Sequence, residues 1–154
     1  MKRVVDILTK KNKTISTMES CTGGGVANAI TNIEGASNIL KFSAVTYSNE
    51  FKIKMGVNAS VIDKYSVYSM ETAQEMAYNI ANFAGSDYGV GITGKLNRVD
   101  QNNLTGADNK VFISIYDASN KNYYNHDLTV DKSSRKENKE QIISAITDWL
   151  LEIL

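Results

Sequence analysis

A β-branched stretch that runs into three consecutive glycines and then into a helix-like segment constrains this chain more than any other feature. Residues 13–17 read Lys-Thr-Ile-Ser-Thr and predict a strand. Met18-Glu19-Ser20-Cys21-Thr22-Gly23-Gly24-Gly25 follows, and then Val-Ala-Asn-Ala-Ile-Thr-Asn-Ile. A strand that turns through glycines into a helix opens an α/β unit. The rest of the chain keeps alternating. Residues 2–12 carry Val4, Val5, Ile7 and Leu8 at helical spacing, and Lys41 to Ser48 alternates as a strand. Asn49 to Met55 predicts a short charged helix. Ser69 is a natural N-cap for residues 70–85, in which Ala73, Met76, Ala77, Ile80 and Phe83 form one stripe. Tyr88 to Thr93 predicts a buried strand, and residues 95–109 a long polar loop. Lys110–Tyr116 and Tyr123–Val130 predict a hairpin around Asp117-Ala118-Ser119-Asn120. Residues 135–154 predict a last amphipathic helix with Ile142, Ile143, Ile146, Trp149 and Leu150. Interleaved strands and helices with one hairpin imply a three-layer α/β/α sandwich with a mixed, mostly parallel sheet, as one domain over residues 1–154.

Composition removes several classes of function. The 154 residues hold 17 basic and 17 acidic side chains. Zero net charge lacks the basic footprint of a nucleic-acid binder. One cysteine and one histidine allow neither an internal disulfide nor a repeated zinc-ligand spacing, so no metal and no cofactor are expected. No apolar run reaches the roughly 20 residues of a membrane helix. Charge within the first six residues is unlike a signal peptide. The expectation is a cytoplasmic protein with a small-molecule partner.

Two clusters carry candidate chemistry. The turn at 20–25 is either an anion cradle at a helix start or a tight turn that packs helix against strand. It lacks the lysine of a P-loop. Cys21 beside it reads as a small buried hydrophobe, and His126, in a strand far along the chain, as an ordinary pairing residue. Ser37, Tyr47 and Lys52 form the second cluster. They are either a helix N-cap, a strand aromatic and a solvated charge, or a serine nucleophile with a lysine base and a tyrosine that orients the proton. The second reading requires Lys52 to be buried enough to lose its charge near pH 7.

Residues 17–57, with Glu-Ser-Cys-Thr-Gly-Gly at 19–24 and Val-Thr-Tyr-Ser-Asn-Glu at 45–50, resemble the CinA C-terminal domain, the nicotinamide-nucleotide amidase family. Val67 to Glu71, Ala73 and Asp87 to Gly94 extend the resemblance. It implies an amidohydrolase that deamidates nicotinamide mononucleotide to nicotinate mononucleotide and ammonia. It also implies Ser37 as nucleophile, Lys52 as base and Tyr47 as its helper. Ser20, Thr22, Gly23, Thr93 and Arg135 are the implied substrate contacts, with Lys139 as a second basic residue. Family analogy further implies a homodimer. The family pattern breaks after Gly94, where Lys95-Leu96-Asn97-Arg98-Val99-Asp100 replaces a glycine–proline loop. That departure keeps open a catalytically impaired protein that binds a pyridine nucleotide or a protein partner.

Overall fold

The computed structural model describes residues 1–154. In chain order it contains α1 (Lys2–Lys11), β1 (Ile15–Glu19), α2 (Gly25–Thr31) and β2 (Leu40–Val45). Then come α3 (Asn49–Lys54), α4 (Ala59–Tyr65), α5 (Met70–Ala84) and β3 (Tyr88–Gly94). The β4 (Lys110–Asp117) and β5 (Asn122–Thr129) hairpin and α6 (Arg135–Ile153) complete it. The strands form one sheet in the order β2-β1-β3-β4-β5. β1 pairs in parallel with β2 and β3, while β3–β4 and β4–β5 are antiparallel. The sheet is mixed as expected, with its pairings divided evenly between the two senses.

Strand alternation sends side chains to two different helix layers. Ile15, Val90, Ile92, Val111, Ile113 and Ile115 join Val4, Leu8, Val26, Ile30, Ile142, Ile146 and Leu150 in the main core, beneath α1, α2 and α6. On the opposite face Met18 packs on Met76 and Ile80 of α5. Gly89 and Gly91 lie under α5 because nothing larger fits. A Cβ on either would come within 2.1 and 2.2 Å of the Ala77 and Ala73 carbonyl oxygens. These glycines let α5 lie directly on β3.

The local signals act as their chemistry dictates. Ser69 accepts from Thr72 N and caps α5, and Gly85 ends it in the left-handed conformation. Ser134 and Glu137 form a capping box that starts α6 at Arg135. Two expectations need correction. Phe83 leaves the buried stripe of α5; it is exposed and packs on Phe42 at the sheet edge, 5.1 Å between ring centroids. The 95–109 loop is not wholly solvated, because Lys95 and Leu96 are buried at its start. No helix is long and apolar enough to cross a membrane.

Candidate active site

The chain leaves β1 through α2 to reach β2 on one side, and returns through α5 to β3 on the other. α2 and α5 lie on opposite faces, so the crossovers diverge at the carboxyl end of β1. Open α/β sheets bind ligands at such a divergence. A hollow of about 640 Å³ sits there, lined by Ser20 and Cys21, by Tyr47 to Lys52, by Tyr68, by the 94–103 segment and by Arg135.

At its floor Lys52 is 1% exposed. Its Nζ lies 3.1 Å from Ser20 Oγ and donates to the Thr46 carbonyl at 2.7 Å. The backbone dictates this meeting. Ser20 N donates to Ile92 O, placing Ser20 between the ends of β1 and β3. Thr46 N donates to Glu19 O, which carries the β1–β2 ladder one residue further. Ser48 then accepts from Phe51 N and starts α3, whose first turn brings Lys52 back over Ser20. Burial lowers the Lys52 pKa to about 8, against the smaller opposing pull of Cys21 and Asp100. Roughly a tenth of this amine is therefore neutral at pH 7, far more than for a solvated lysine. Burial pushes the neighbouring Cys21 thiol up to about 12, so it stays protonated and unreactive.

The serine that meets Lys52 is not the expected one. Ser37 sits in a 3-10 turn before β2 and lines a separate hollow with Glu34, Gly35 and Leu40. Lys52 follows the other end of that strand. Six extended residues separate the two ends by about 20 Å, so the Ser37–Lys52 pairing is overturned. Ser20, expected only as a substrate contact, is the serine that stands beside Lys52. Thr93 is fully buried and donates to Val67 O at 2.8 Å, which ties β3 to the residues before α5 and keeps its hydroxyl out of the hollow.

Thr22 and Gly23 also lie outside the lining of the hollow. The anion cradle expected of their turn is already filled. The buried Glu19 carboxylate accepts from Thr22 Oγ1 at 2.7 Å, Val26 N at 3.1 Å and Ala27 N at 2.8 Å. An internal carboxylate thus satisfies the first amides of α2 and its positive end. Lys139 lies over Gly23, where an added Cβ would stand 3.2 Å from its Nζ.

Tyr47 and Arg135 do reach the hollow. The exposed Tyr47 hydroxyl accepts from the Arg135 guanidinium at 3.2 Å. The 95–109 segment, which also contributes to the lining, is fastened to the body. Lys95 Nζ pairs with Asp108 at 3.1 Å and stands 5.2 Å over the Tyr68 ring. Tyr68 donates to Asp100, Asn103 donates to Asp100 at 2.9 Å, and Asn49 donates to Asn103 at 3.2 Å. The Tyr68 hydrogen bond, with that from Asn103, holds the Asp100 carboxyl below its ordinary range. Burial raises the pKa of Tyr68, and the Asp100 charge raises it further. Sequence reading missed Asp100, Tyr68 and Asn103, because hydrogen bonds between a loop and a distant helix start leave no periodic signal.

A serine hydroxyl beside a buried lysine of lowered pKa, at the divergence of an α/β sheet, is a geometry that nucleophilic chemistry can use. The CinA C-terminal domain model matches residues 1–154, and the chain belongs to that family. A CinA-like protein of Kosmotoga olearia is 49% identical over 92 residues, which cover 59% of this chain and 22% of that protein. The chain thus matches about a fifth of the length of that relative. Among solved structures, the competence/damage inducible protein CihA of Agrobacterium tumefaciens superposes with a TM-score of 0.87 at 25% identity, covering 97% of this chain and 90% of that one. A CinA superfamily protein of Escherichia coli shares the fold with a TM-score of 0.90 at 21% identity, covering 99% and 87%.

Proposed function

We propose that this domain hydrolyses a carboxamide, with Ser20 as nucleophile and Lys52 as general base, and that its substrate is nicotinamide mononucleotide. The observation that carries the reading is the 3.1 Å approach of buried Lys52 Nζ to Ser20 Oγ. In its neutral form the amine keeps its donation to Thr46 O and turns its lone pair to the Ser20 hydroxyl. Ser20 Oγ attacks the amide carbon as Lys52 takes its proton. The resulting ammonium protonates the departing nitrogen, and ammonia leaves. Water then enters, gives its proton to Lys52 and hydrolyses the acyl-serine, which regenerates Ser20 and releases the carboxylate. The turn after Ser20 is the source of an oxyanion donor, since Cys21 lines the hollow and its amide donates to no other backbone group. Tyr47 and Arg135 act at the mouth, on the substrate rather than on the proton.

The family resemblance supports the choice of amide. A pyridine-nucleotide-binding protein without turnover is the second reading, favoured by the replaced loop that Asp100 ties to Tyr68 in the lining of the hollow. Ammonia release from nicotinamide mononucleotide decides between them. The hydrolase reading expects turnover in the native protein and its loss in Ser20→Ala and Lys52→Met. Substrate binding without ammonia release would establish the binding protein instead. A cytoplasmic location and self-association into a dimer accord with this reading; gel filtration with light scattering tests the latter.

A further inference from the structure

The start of α2 is closed to a substrate anion, because Glu19 already occupies the Val26 and Ala27 amides. The hollow nevertheless carries a strong charge bias. Its charged lining consists of Lys52, Lys95, Arg98 and Arg135 against the single carboxylate of Asp100. Lys95 is neutralised by Asp108, and Lys52 is engaged at the floor by Ser20 and Thr46. Asp100 is engaged by Tyr68 and Asn103. Two guanidiniums remain uncompensated. Every ion pair in the molecule is a lysine's. Arg135 has only the Tyr47 hydroxyl as partner.

Arg98 comes from the segment in which this chain departs from the family pattern, and its backbone is tied down there. Its amide donates to Asp108 O at 3.1 Å, and Asp108 in turn holds Lys95. Two residues later Asp100 is latched to Tyr68. The backbone on both sides of Arg98 is therefore fixed, while its side chain stands exposed at the mouth. Arg135 lines the same hollow, fixed as the first helical residue after the Ser134–Glu137 capping box. Ser20 and Lys52 lie buried at the floor.

We infer that Arg98 joins Arg135, whose substrate contact the family resemblance already implies, in an anion clamp in this hollow, and that Arg98, which the family pattern does not supply, is a specificity-determining residue for a substrate that carries a phosphomonoester at the end opposite its carboxamide. The inference rests on the Ser20–Lys52 reading for the orientation of the amide. A guanidinium presents a planar fork of donors that matches a phosphate in a bidentate fashion, and two of them match a dianion. A hollow of about 640 Å³ is of a size that encloses a ligand as large as a mononucleotide.

The clamp is tested by binding, so that its failure is separable from failure of hydrolysis. Calorimetry on Ser20→Ala measures the affinity for nicotinamide mononucleotide and for nicotinamide riboside, which differ only in the phosphate. The expected preference for the mononucleotide is about 100-fold. Adding Arg98→Ala lowers that preference roughly tenfold, and Arg98→Lys restores part of it, since an ammonium keeps the charge without the fork. A structural role for Arg98 would weaken both ligands equally and leave the ratio intact. Equal affinity for the two ligands, or a ratio unmoved by Arg98→Ala, overturns the clamp. Absence of ammonia release from the native protein would instead overturn the hydrolase reading alone.

Discussion

The two edges of the sheet use the same kinds of polar side chain to opposite ends. At the amino edge Asp87 accepts from Lys13 Nζ at 2.8 Å, Thr14 N at 2.8 Å and Thr14 Oγ1 at 2.9 Å. Acceptor and donors there are matched, and nothing is left over for a ligand. At the carboxyl edge Lys52 is buried without a carboxylate partner, and two guanidiniums face the hollow without one. A matched network contributes stability and holds the strand starts in register. An unmatched one costs stability and leaves charge available for chemistry. Ser37 lies toward the amino edge, before β2, and Ser20 at the carboxyl edge, which is why only one of them has Lys52 beside it.

The contrast breaks most sharply at the nucleophile. Ser20→Ala and Lys52→Met are each expected to lower ammonia release by about three orders of magnitude or more, read as kcat/KM. Lys52→Met should also raise or preserve the thermal midpoint, because it removes a buried unpaired charge and keeps the volume. A Lys52→Met protein that unfolds would show that the carboxyl edge is built for stability after all.

Next in size is the carboxylate beneath the turn. Glu19→Ala leaves the Thr22 hydroxyl and the Val26 and Ala27 amides without an acceptor in a buried site. The expected loss is about 3 kcal/mol of unfolding free energy, measured in urea. Loss of activity without loss of stability would instead give Glu19 a part in the reaction.

Asp87→Ala probes the opposite edge, with an expected loss of about 2 kcal/mol and unchanged kcat/KM. Burial works to raise the Asp87 pKa, but the hydrogen bonds from Lys13 and Thr14 outweigh it, and the net shift is downward. Its contribution is therefore present above the unfolded carboxylate pKa and is lost as pH falls through the lower folded value. Acid unfolding of Asp87→Ala should be correspondingly less steep.

The pH dependence of turnover separates the edges by a smaller factor. The reactive form of Lys52 is the neutral amine, whose pKa is about 8. Below that value kcat/KM should rise about tenfold per pH unit, and above it level off. A profile flat from pH 6 to 9 would exclude Lys52 as the base. Smallest of all, Ser37→Ala should change both stability and turnover by less than about 0.5 kcal/mol.

Much of the fold is legible in the chain because its signals are local. Ser69 and Gly85 bound α5, the β-branched run marks β1, and the hairpin at 117–120 follows from its turn residues. α4 escapes that reading because it buries no residue and so carries no apolar stripe. The candidate site was legible only in part. The Glu-Ser-Cys-Thr-Gly-Gly turn and Lys52 both stand out in the sequence, but their partnership does not. Ser37 is nearer to Lys52 along the chain than Ser20 is, and only the direction of β2 shows that nearness to be misleading.

By itself the sequence determined where strands and helices form, which faces are apolar, and which residues carry unusual chemistry. Those properties depend on neighbours a few positions away. Tertiary structure alone decided that Ser20 meets Lys52 across 32 positions, that Glu19 fills the helix start in place of a ligand, and that a divergent loop brings Arg98 into the same hollow as Arg135. Each of those outcomes depends on which strand ends lie side by side, a relation set by the packing of the whole sheet and written at no single position.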